Sequence, residues 1–218
     1  MEKMEMMFDD LRLVLSQDGK CLYTCDDSEC CEDVEVEVPQ GVEDIDEYIF
    51  DECENITSIS IPSSVTRIGE PLGYCENLSA INVSEDNAEY CSVDGVLFDK
   101  AKTRLIKYPE RKEGKAYTVP ASVTSLGEDG FGGCTDLESL TLPEGITELG
   151  EEMFSADGAP ALKVLHVMNA CPDDIDFSCD DRNTLRGCTL FVPMGSGSDY
   201  RADERFSCFK EIKEEDSI

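Results

Sequence analysis

The 218-residue sequence contains no tryptophan, a single histidine, and only 18 lysine and arginine residues against 49 aspartate and glutamate residues. The formal net charge is therefore −31, whereas binding to nucleic acid or to an anionic membrane needs a cationic surface. No segment approaches the roughly 20 consecutive apolar residues of a membrane-spanning helix. The composition predicts no nucleic-acid binding and no membrane insertion, and it favours cationic partners.

The scarcity of histidine also limits catalysis. A nucleophile that needs a histidine base would have to use His166, because the sequence has no other. The sequence lacks the G-x-x-x-x-G-K-[ST] phosphate loop and a dinucleotide-binding fingerprint. We therefore predict a chain that is not an enzyme, with no catalytic residue, no bound metal and no cofactor.

The sequence contains twelve cysteines, which leave open the alternative of a thiol- or metal-dependent enzyme. Four of them lie in the segment CLYTCDDSECC, namely Cys21, Cys25, Cys30 and Cys31. They offer a thiolate zinc site, but the segment has no C-x-x-C knuckle and no nearby histidine. We favour a loop with buried or free thiols, and a thiol- or metal-dependent enzyme is the alternative that metal analysis would reveal. Cys53, Cys75 and Cys134 follow repeated positions and are expected to be small buried apolar residues.

The first residues, MEKMEMMFDD, lack the basic segment and the apolar core of a secretory signal. As written, the sequence therefore predicts a cytoplasmic protein with reduced thiols.

An aliphatic residue followed by proline recurs along the chain. It occurs as Val38-Pro39, Ile61-Pro62, Val119-Pro120, Leu142-Pro143 and Val192-Pro193. Two residues before each aliphatic residue stand Val36, Ile59, Tyr117, Leu140 and Leu190. This alternation predicts short strands with one buried face, each ended by the proline, which cannot donate a ladder hydrogen bond.

The residues after each proline repeat as well. Inward anchors of a return arm are expected at Val42, Val65, Val123 and Ile146, and three residues later at Ile45, Ile68, Leu126 and Leu149. A large residue then closes each unit, at Phe50, Leu72, Phe131 and Phe154. Gly69, Gly127 and Gly150 are expected to take a positive φ where the chain bends. One such unit cannot enclose a core, so we predict stacked parallel coils, which is a repeat solenoid of about seven coils.

Two further segments align with each other at an offset of 83 residues. They are LVLSQDGKCLYTC (Leu13 to Cys25) and VLFDKAKTRLIKY (Val96 to Tyr108). In each, two apolar runs flank a polar turn, which predicts an inserted β-hairpin. Near the C-terminus Tyr200, Phe206, Phe209 and Ile212 are expected to cover the open end of the core.

These features predict one domain over residues 1–218. Its parts are an N-terminal hairpin or cap at 1–33, coils at 34–88, an inserted hairpin at 89–115, coils at 116–168, and a degenerate coil with a C-terminal cap at 169–218.

The repeated motif L-x-x-I-x-I-P-x-x-V-x-x-I-G-x-x-x-F-x-x-C resembles the BspA-like leucine-rich repeats, also called the Treponema pallidum type. The segment YCSVDGVLFDKAKTRLIKYP is similar to the insertion found between such repeats, and CTLFVPMGSGSDYRADERFSCFKEI is similar to their C-terminal segment. The resemblance implies a right-handed leucine-rich-repeat-like coil of short parallel strands with irregular return arms. It also implies a noncatalytic module for protein binding or cell adhesion, at the cell surface or secreted.

The residues between the inward aliphatics are the candidate binding surface. On the outward strand face these are Glu35, Glu37, Ser58, Ser60, Ala80, Asn82, Thr118, Ser139, Thr141 and His166. They would form a ladder of small polar groups open to an unidentified protein partner. The alternative is that they are polar strand residues that face solvent and bind no partner.

Charge is distributed unevenly. The first 60 residues hold 19 acidic and 3 basic residues, whereas the segment from residue 100 to residue 115 holds 7 basic and 2 acidic ones. The basic island consists of Lys100, Lys102, Arg104, Lys107, Arg111, Lys112 and Lys115. We hypothesise that it contacts an acidic partner or the acidic N-terminal segment of another copy. A solvated hairpin and a self-associating intracellular structural protein are the alternatives.

Overall fold

The computed structural model describes residues 3–8, 11–28, 32–51, 53–70, 72–150, 153–154, 159–177 and 185–216. The chain divides into an N-terminal unit (Met1–Ala101 and Ile106–Lys112) and a C-terminal unit (Lys102–Leu105 and Glu113–Ile218). The boundary falls inside the segment 89–115, which the sequence predicts to be an insertion. The organisation as one domain stays a prediction.

The N-terminal unit is built from strands. They are β1 (Lys3–Phe8), β2 (Leu11–Ser16), β3 (Cys21–Asp26), β4 (Val34–Glu37), β5 (Asp44–Ile45), β6 (Ile56–Ile61), β7 (Arg67–Ile68), β8 (Ala80–Val83), β9 (Tyr90–Val93) and β10 (Val96–Asp99). One sheet has the order β1-β2-β3-β5-β7, antiparallel from β1 to β3 and parallel beyond. The other is parallel, with the order β4-β6-β8.

The C-terminal unit repeats this two-sheet plan. After β11 (Arg104–Lys107) come β12 (Ala116–Thr118), β13 (Ser125–Leu126), β14 (Ser139–Leu142), β15 (Glu148–Leu149), β16 (Val164–Val167), β17 (Asp176–Phe177), β18 (Thr189–Pro193) and β19 (Glu211–Glu215). The longer strands form a parallel sheet in the order β12-β14-β16-β18-β19. The short strands β13, β15 and β17 form a second parallel sheet, and Arg104 and Leu105 of β11 pair beside β13.

Helix is scarce in the described residues. A six-residue helix α1 (Gly197–Ala202) and two 3₁₀ turns (Pro172–Asp174 and Glu204–Phe206) are present there. None of the described helices is long and apolar enough to span a bilayer. Parallel strands stacked coil upon coil, with almost no helix, confirm the predicted repeat solenoid.

The predicted strand alternation is reflected in burial. Ile59 and Leu140 are fully buried, as are the return-arm anchors Ile45 and Leu126, whereas Tyr117 is half-buried. The return arms follow the predicted irregular path except at the second anchor of each coil, which lies on a two-residue strand that pairs with a neighbouring strand. Two residues are too few to show a strand period in the sequence.

The bend glycines are needed for a reason other than the predicted one. Gly69, Gly127 and Gly150 are not among the described residues with positive φ. Instead, a Cβ on Gly69 would lie 2.4 Å from the backbone nitrogen of Glu47, and one on Gly150 would lie 2.2 Å from the carbonyl oxygen of Gly127. Adjacent coils therefore approach too closely for a side chain at this position.

The first predicted hairpin is confirmed, because β2 and β3 pair antiparallel around a turn with Gly19 at φ 72°. Strands β10 and β11 occupy the two apolar runs of the second predicted hairpin. A further hairpin pairs β9 with β10 around Asp94 and Gly95, which both have positive φ. Two successive positive φ values are typical of a type I′ turn.

The C-terminal cap contains an aromatic cluster. Tyr200, Phe206 and Phe209 are buried, and Ile212 is half-buried. The ring of Phe206 stacks on Phe177, with 4.9 Å between centroids, and it meets Tyr200 edge to face. The Tyr200 hydroxyl donates a hydrogen bond of 2.7 Å to the carbonyl of Asn169. The predicted cap residues thus close the apolar interior of the C-terminal unit.

Candidate functional site

The outward face of the sheet β4-β6-β8 carries six of the predicted binding residues, and we call it the N-terminal strand face. Its residues stand in two lateral rows, Glu35–Ser58–Ala80 and Glu37–Ser60–Asn82. Both glutamates and Asn82 are exposed, while the two serines and Ala80 are half-buried. Small central side chains flanked by exposed polar ones leave the middle of this sheet sterically open.

A shallow groove of about 490 Å³ lies where these strands end, and we call it the strand-end groove. The row Glu37–Ser60–Asn82 lines it, together with Val38, Gln40, Ile61, Pro62, Val83 and Ser84. The proline of the repeat ends β6 here, so the strand leaves the sheet and the next residues form the wall of the groove. The groove therefore presents polar and apolar side chains next to each other.

The other four predicted residues lie on the sheet β12-β14-β16-β18-β19. Thr118, Thr141 and His166 form one lateral row, and Ser139 stands opposite Ala116 and Val164 in the neighbouring row. Thr118 is exposed, whereas Ser139, Thr141 and His166 are half-buried. We call this surface the C-terminal strand face.

Sequence reasoning missed three residues of the C-terminal strand face, Phe191, Lys213 and Glu215. Phe191 continues the row of His166, and Lys213 continues it onto β19. The His166 ring stacks on Phe191 with centroids 5.1 Å apart, and its Nδ1 lies 2.5 Å from Oε1 of Glu215. The Nζ of Lys213 lies 6.0 Å from the centroid of Phe191. Phe191 was detectable, because it alternates with inward Leu190 and Val192.

The partners of His166 bear on the catalytic alternative. Its side chain is 16% exposed, and it contacts the carboxylate of Glu215 and the ring of Phe191. No cysteine or serine among the residues that the structure describes hydrogen-bonds to it. The carboxylate fixes the orientation of the imidazole, so this group packs on the sheet face and is not paired with a nucleophile among the described residues.

The basic island is less available than its sequence suggests. Lys100 Nζ donates to the carbonyls of Glu85 and Asn87, and Lys112 Nζ donates to the carbonyl of Asp94. Within the C-terminal unit, Lys115 pairs with Glu138 at 2.6 Å and Arg104 lies 3.8 Å from Glu148. Lys102 and Arg111 are exposed.

Lys107 must be removed from the predicted island. Its side chain is 3% exposed, and its Nζ lies 2.9 Å from Oε1 of Glu110, whose side chain is 1% exposed. The same Oε1 accepts from the backbone amide of Cys75 at 3.3 Å, while Oε2 is buried without a hydrogen bond. Burial raises the pKa of Glu110, and the ammonium of Lys107 acts in the opposite direction. A buried ion pair cannot contact an outside partner.

The proposed zinc cysteines are only partly described. Cys21 is half-buried and Cys25 is buried, whereas Cys30 and Cys31 lie outside the described residues. Among the described residues, no group of three His, Cys, Asp or Glu side chains is arranged to hold a metal ion. Cys53, Cys75 and Cys134 are buried, as the repeat positions predict.

The repeat register and the two-sheet coil are matched by a family model. The BspA type leucine rich repeat region matches residues 28–111 and 110–163, in six copies. The chain belongs to this family of BspA-type leucine-rich repeat proteins. Membership confirms the resemblance drawn from the motif and establishes a repeat protein module.

Solved structures resemble this BspA-type protein in fold. The pneumococcal vaccine antigen PcpA is 19% identical with a TM-score of 0.50, and the match covers 86% of this chain and 68% of that one. A leucine-rich repeat protein from Eubacterium ventriosum is 18% identical with a TM-score of 0.49, covering 98% and 85%. At such identities the likeness to PcpA shows the fold alone. No curated protein matches the chain.

Proposed function

We propose that this chain is a noncatalytic protein-binding module that engages its partner through the N-terminal strand face. The observation that carries the proposal is the continuity of the row Glu37–Ser60–Asn82 with the strand-end groove. Regular parallel strands place these side chains at fixed spacings of about 4.8 Å. A partner therefore meets an ordered array of polar groups beside a recess that accepts an apolar side chain.

The C-terminal strand face supports the proposal by contrast. There the His166 ring stacks on Phe191 and its Nδ1 hydrogen-bonds to Glu215, so these groups are already engaged within the chain. On the N-terminal strand face, the side chains of Glu37, Ser60 and Asn82 form no hydrogen bond with the part of the chain that the structure describes. Their hydrogen-bonding capacity is available to a partner. The absence of bulky groups there also permits close approach of a polypeptide.

The test blocks the face by substitution. The double variant Ser60→Arg/Asn82→Arg fills the row with two long cationic side chains, and Ala88→Arg places the same group on an exposed loop residue of the same unit. Wild type, double variant and control are immobilised and exposed to extracts of the producing cell and of its host. We expect the same specific proteins to bind wild type and Ala88→Arg but not the double variant. Equal capture by all three would contradict the proposal.

A further inference from the structure

Cys53 and Cys75 occupy the same position in two adjacent coils of the N-terminal unit. The parallel strands β6 and β8 pair residues that are 22 positions apart, such as Ile59 with Ile81, and Cys75 follows Cys53 by the same 22 positions. Both residues are buried, with exposures of 2% and 1%. The stacking of the coils therefore places the two thiols next to each other in the core.

Hydrogen bonds hold the two sulfur atoms close together. The carbonyl of Phe50 accepts from the backbone amide of Cys53 at 3.4 Å and from the Cys75 thiol at 3.1 Å. The thiols of Cys53 and Cys75 are also hydrogen-bonded to each other. Matching residues of stacked parallel strands lie about 4.8 Å apart, and the Cα atoms of a disulfide lie roughly 4.4–6.8 Å apart. A bond between these two sulfur atoms therefore requires little movement of the backbone.

The two thiols differ in access and in acidity. Cys53 lines a recess of about 600 Å³ together with Asn55 and Tyr74, whereas Cys75 is not among the described residues that line it. Hydrogen bonds with Cys25 and Cys75 lower the pKa of the Cys53 thiol, although burial opposes them. The hydrogen bond with Cys53, together with burial, raises the pKa of Cys75. Because the thiolate is the reactive form, Cys53 is the thiol that reacts first with a small oxidant.

We propose that Cys53 and Cys75 form an oxidation site, at which hydrogen peroxide converts the two thiols into a disulfide that links adjacent coils. The Cys53 thiolate attacks one peroxide oxygen, the O–O bond breaks, and the departing hydroxide takes a proton from solvent to form water, which leaves a sulfenic acid. The Cys75 sulfur then attacks the sulfenic sulfur, the S–O bond breaks, and the departing hydroxide takes the Cys75 proton. In total two thiols are oxidised, and one peroxide is reduced to two water molecules.

The position of Cys75 makes it the resolving thiol. Reagents from solution reach Cys75 only when a coil opens, whereas the sulfur of Cys53 already lies beside it. Cys25 also hydrogen-bonds to Cys53, but it precedes Cys53 by 28 positions and so does not hold the matching place in the repeat. The coil register therefore favours a bond from Cys53 to Cys75. This inference does not depend on the strand-face function proposed above.

The test uses the full chain in its reduced form. The protein is exposed to increasing hydrogen peroxide, quenched with acid, alkylated after unfolding, and digested with pepsin at acidic pH without reductant for peptide mass spectrometry. Oxidation of exposed Cys171 shows that the peroxide dose is sufficient. Cys134 is the matched control, because it is buried at the same repeat position and the following unit has no cysteine there. We expect a cross-linked peptide pair that contains Cys53 and Cys75, with Cys134 still alkylated.

Two results would overturn the proposal. The first is oxidation of Cys171 while Cys53 and Cys75 both remain alkylated. The second is a main cross-link from Cys53 to Cys25 or to any other cysteine. Both results come from the wild-type chain, so the test does not depend on whether a variant folds.

Alanine variants test the order of the two steps, because alanine keeps a small apolar side chain at each buried position. In Cys75→Ala the sulfenic acid of Cys53 has lost its resolving thiol and is expected to react with dimedone, a reagent selective for sulfenic acids. In Cys53→Ala the oxidation of Cys75 is expected to be at least about tenfold slower than in wild type. Equal rates of Cys75 oxidation in wild type and Cys53→Ala would contradict the assigned order.

Discussion

Replacing Lys107 with methionine leaves the buried carboxylate of Glu110 without its charged partner. Methionine preserves most of the apolar stem of lysine, so the change is mainly electrostatic. At 2.9 Å, and with an effective dielectric constant of about 20, the pair attraction amounts to roughly 6 kcal/mol. Removing one member of a buried pair typically costs about 3–5 kcal/mol. We therefore expect Lys107→Met to lower the free energy of unfolding by that amount at pH 7.

The loss should depend on pH in a definite direction. Burial already raises the pKa of Glu110, and without Lys107 only the backbone amides of Glu110 and Cys75 oppose that rise among the described residues. A folded state with a raised carboxyl pKa holds its proton where the unfolded state has lost it, so stability falls as the pH rises above the ordinary glutamate value of about 4.3. The penalty of Lys107→Met should accordingly shrink as the pH is lowered from 7 toward 5.

Urea unfolding followed by circular dichroism at several pH values measures both effects. Lys115→Met is the control, because its pair with Glu138 is exposed to water and surface pairs contribute little. The double variant Lys107→Met/Glu110→Gln retains an acceptor for the Cys75 amide and should recover most of the lost stability. A penalty for Lys107→Met below about 1 kcal/mol, or one that is the same at every pH, would refute the reasoning.

Two further predictions concern the coils. Ile59→Asp places a charge in the fully buried core and should lower the free energy of unfolding by more than about 3 kcal/mol, whereas Ser60→Asp on the outward face should be tolerated; equally mild melting shifts would show the two faces to be misassigned. Gly150→Ala should strongly lower the melting temperature, because the new Cβ would lie 2.2 Å from the carbonyl of Gly127, whereas Gly145→Ala meets nothing nearer than 3.9 Å. Equal melting temperatures for these two variants would mean that the coils can move apart.

Much of the fold could be predicted from alternation and spacing. In β6 the inward residues Ile59 and Ile61 are buried and Ser60 between them is not, as the sequence pattern indicates. The repeat spacing indicated that the position of Gly69 favours glycine, but it could not show the physical reason. The reason is the proximity of a neighbouring coil's backbone, and that depends on how coils stack and not on the local sequence.

The sequence could not predict contacts between residues that are far apart in the chain, or the burial of charged residues. Lys107 has the same charge as its exposed neighbours, and nothing local reveals that a buried Glu110 faces it. His166 and Glu215 are 49 residues apart, and β19 is too rich in charge to be recognised as a strand. The Asp94-Gly95 turn, by contrast, carried a hairpin signal that sequence reasoning overlooked.

The native fold protects the buried thiols of Cys75 and Cys188 from chemical modification. The thiols of Cys75 and Cys188 each donate to a carbonyl of the preceding coil at 3.1 Å, to Phe50 and Leu162 respectively. The hydrogen bond with Cys53, together with burial, raises the pKa of the Cys75 thiol, and burial raises the pKa of the Cys188 thiol to about 11. Oxidants and alkylating reagents attack the thiolate. Their modification therefore requires a coil to open first, so the rate at which each thiol is labelled reports how often its own coil separates from the stack.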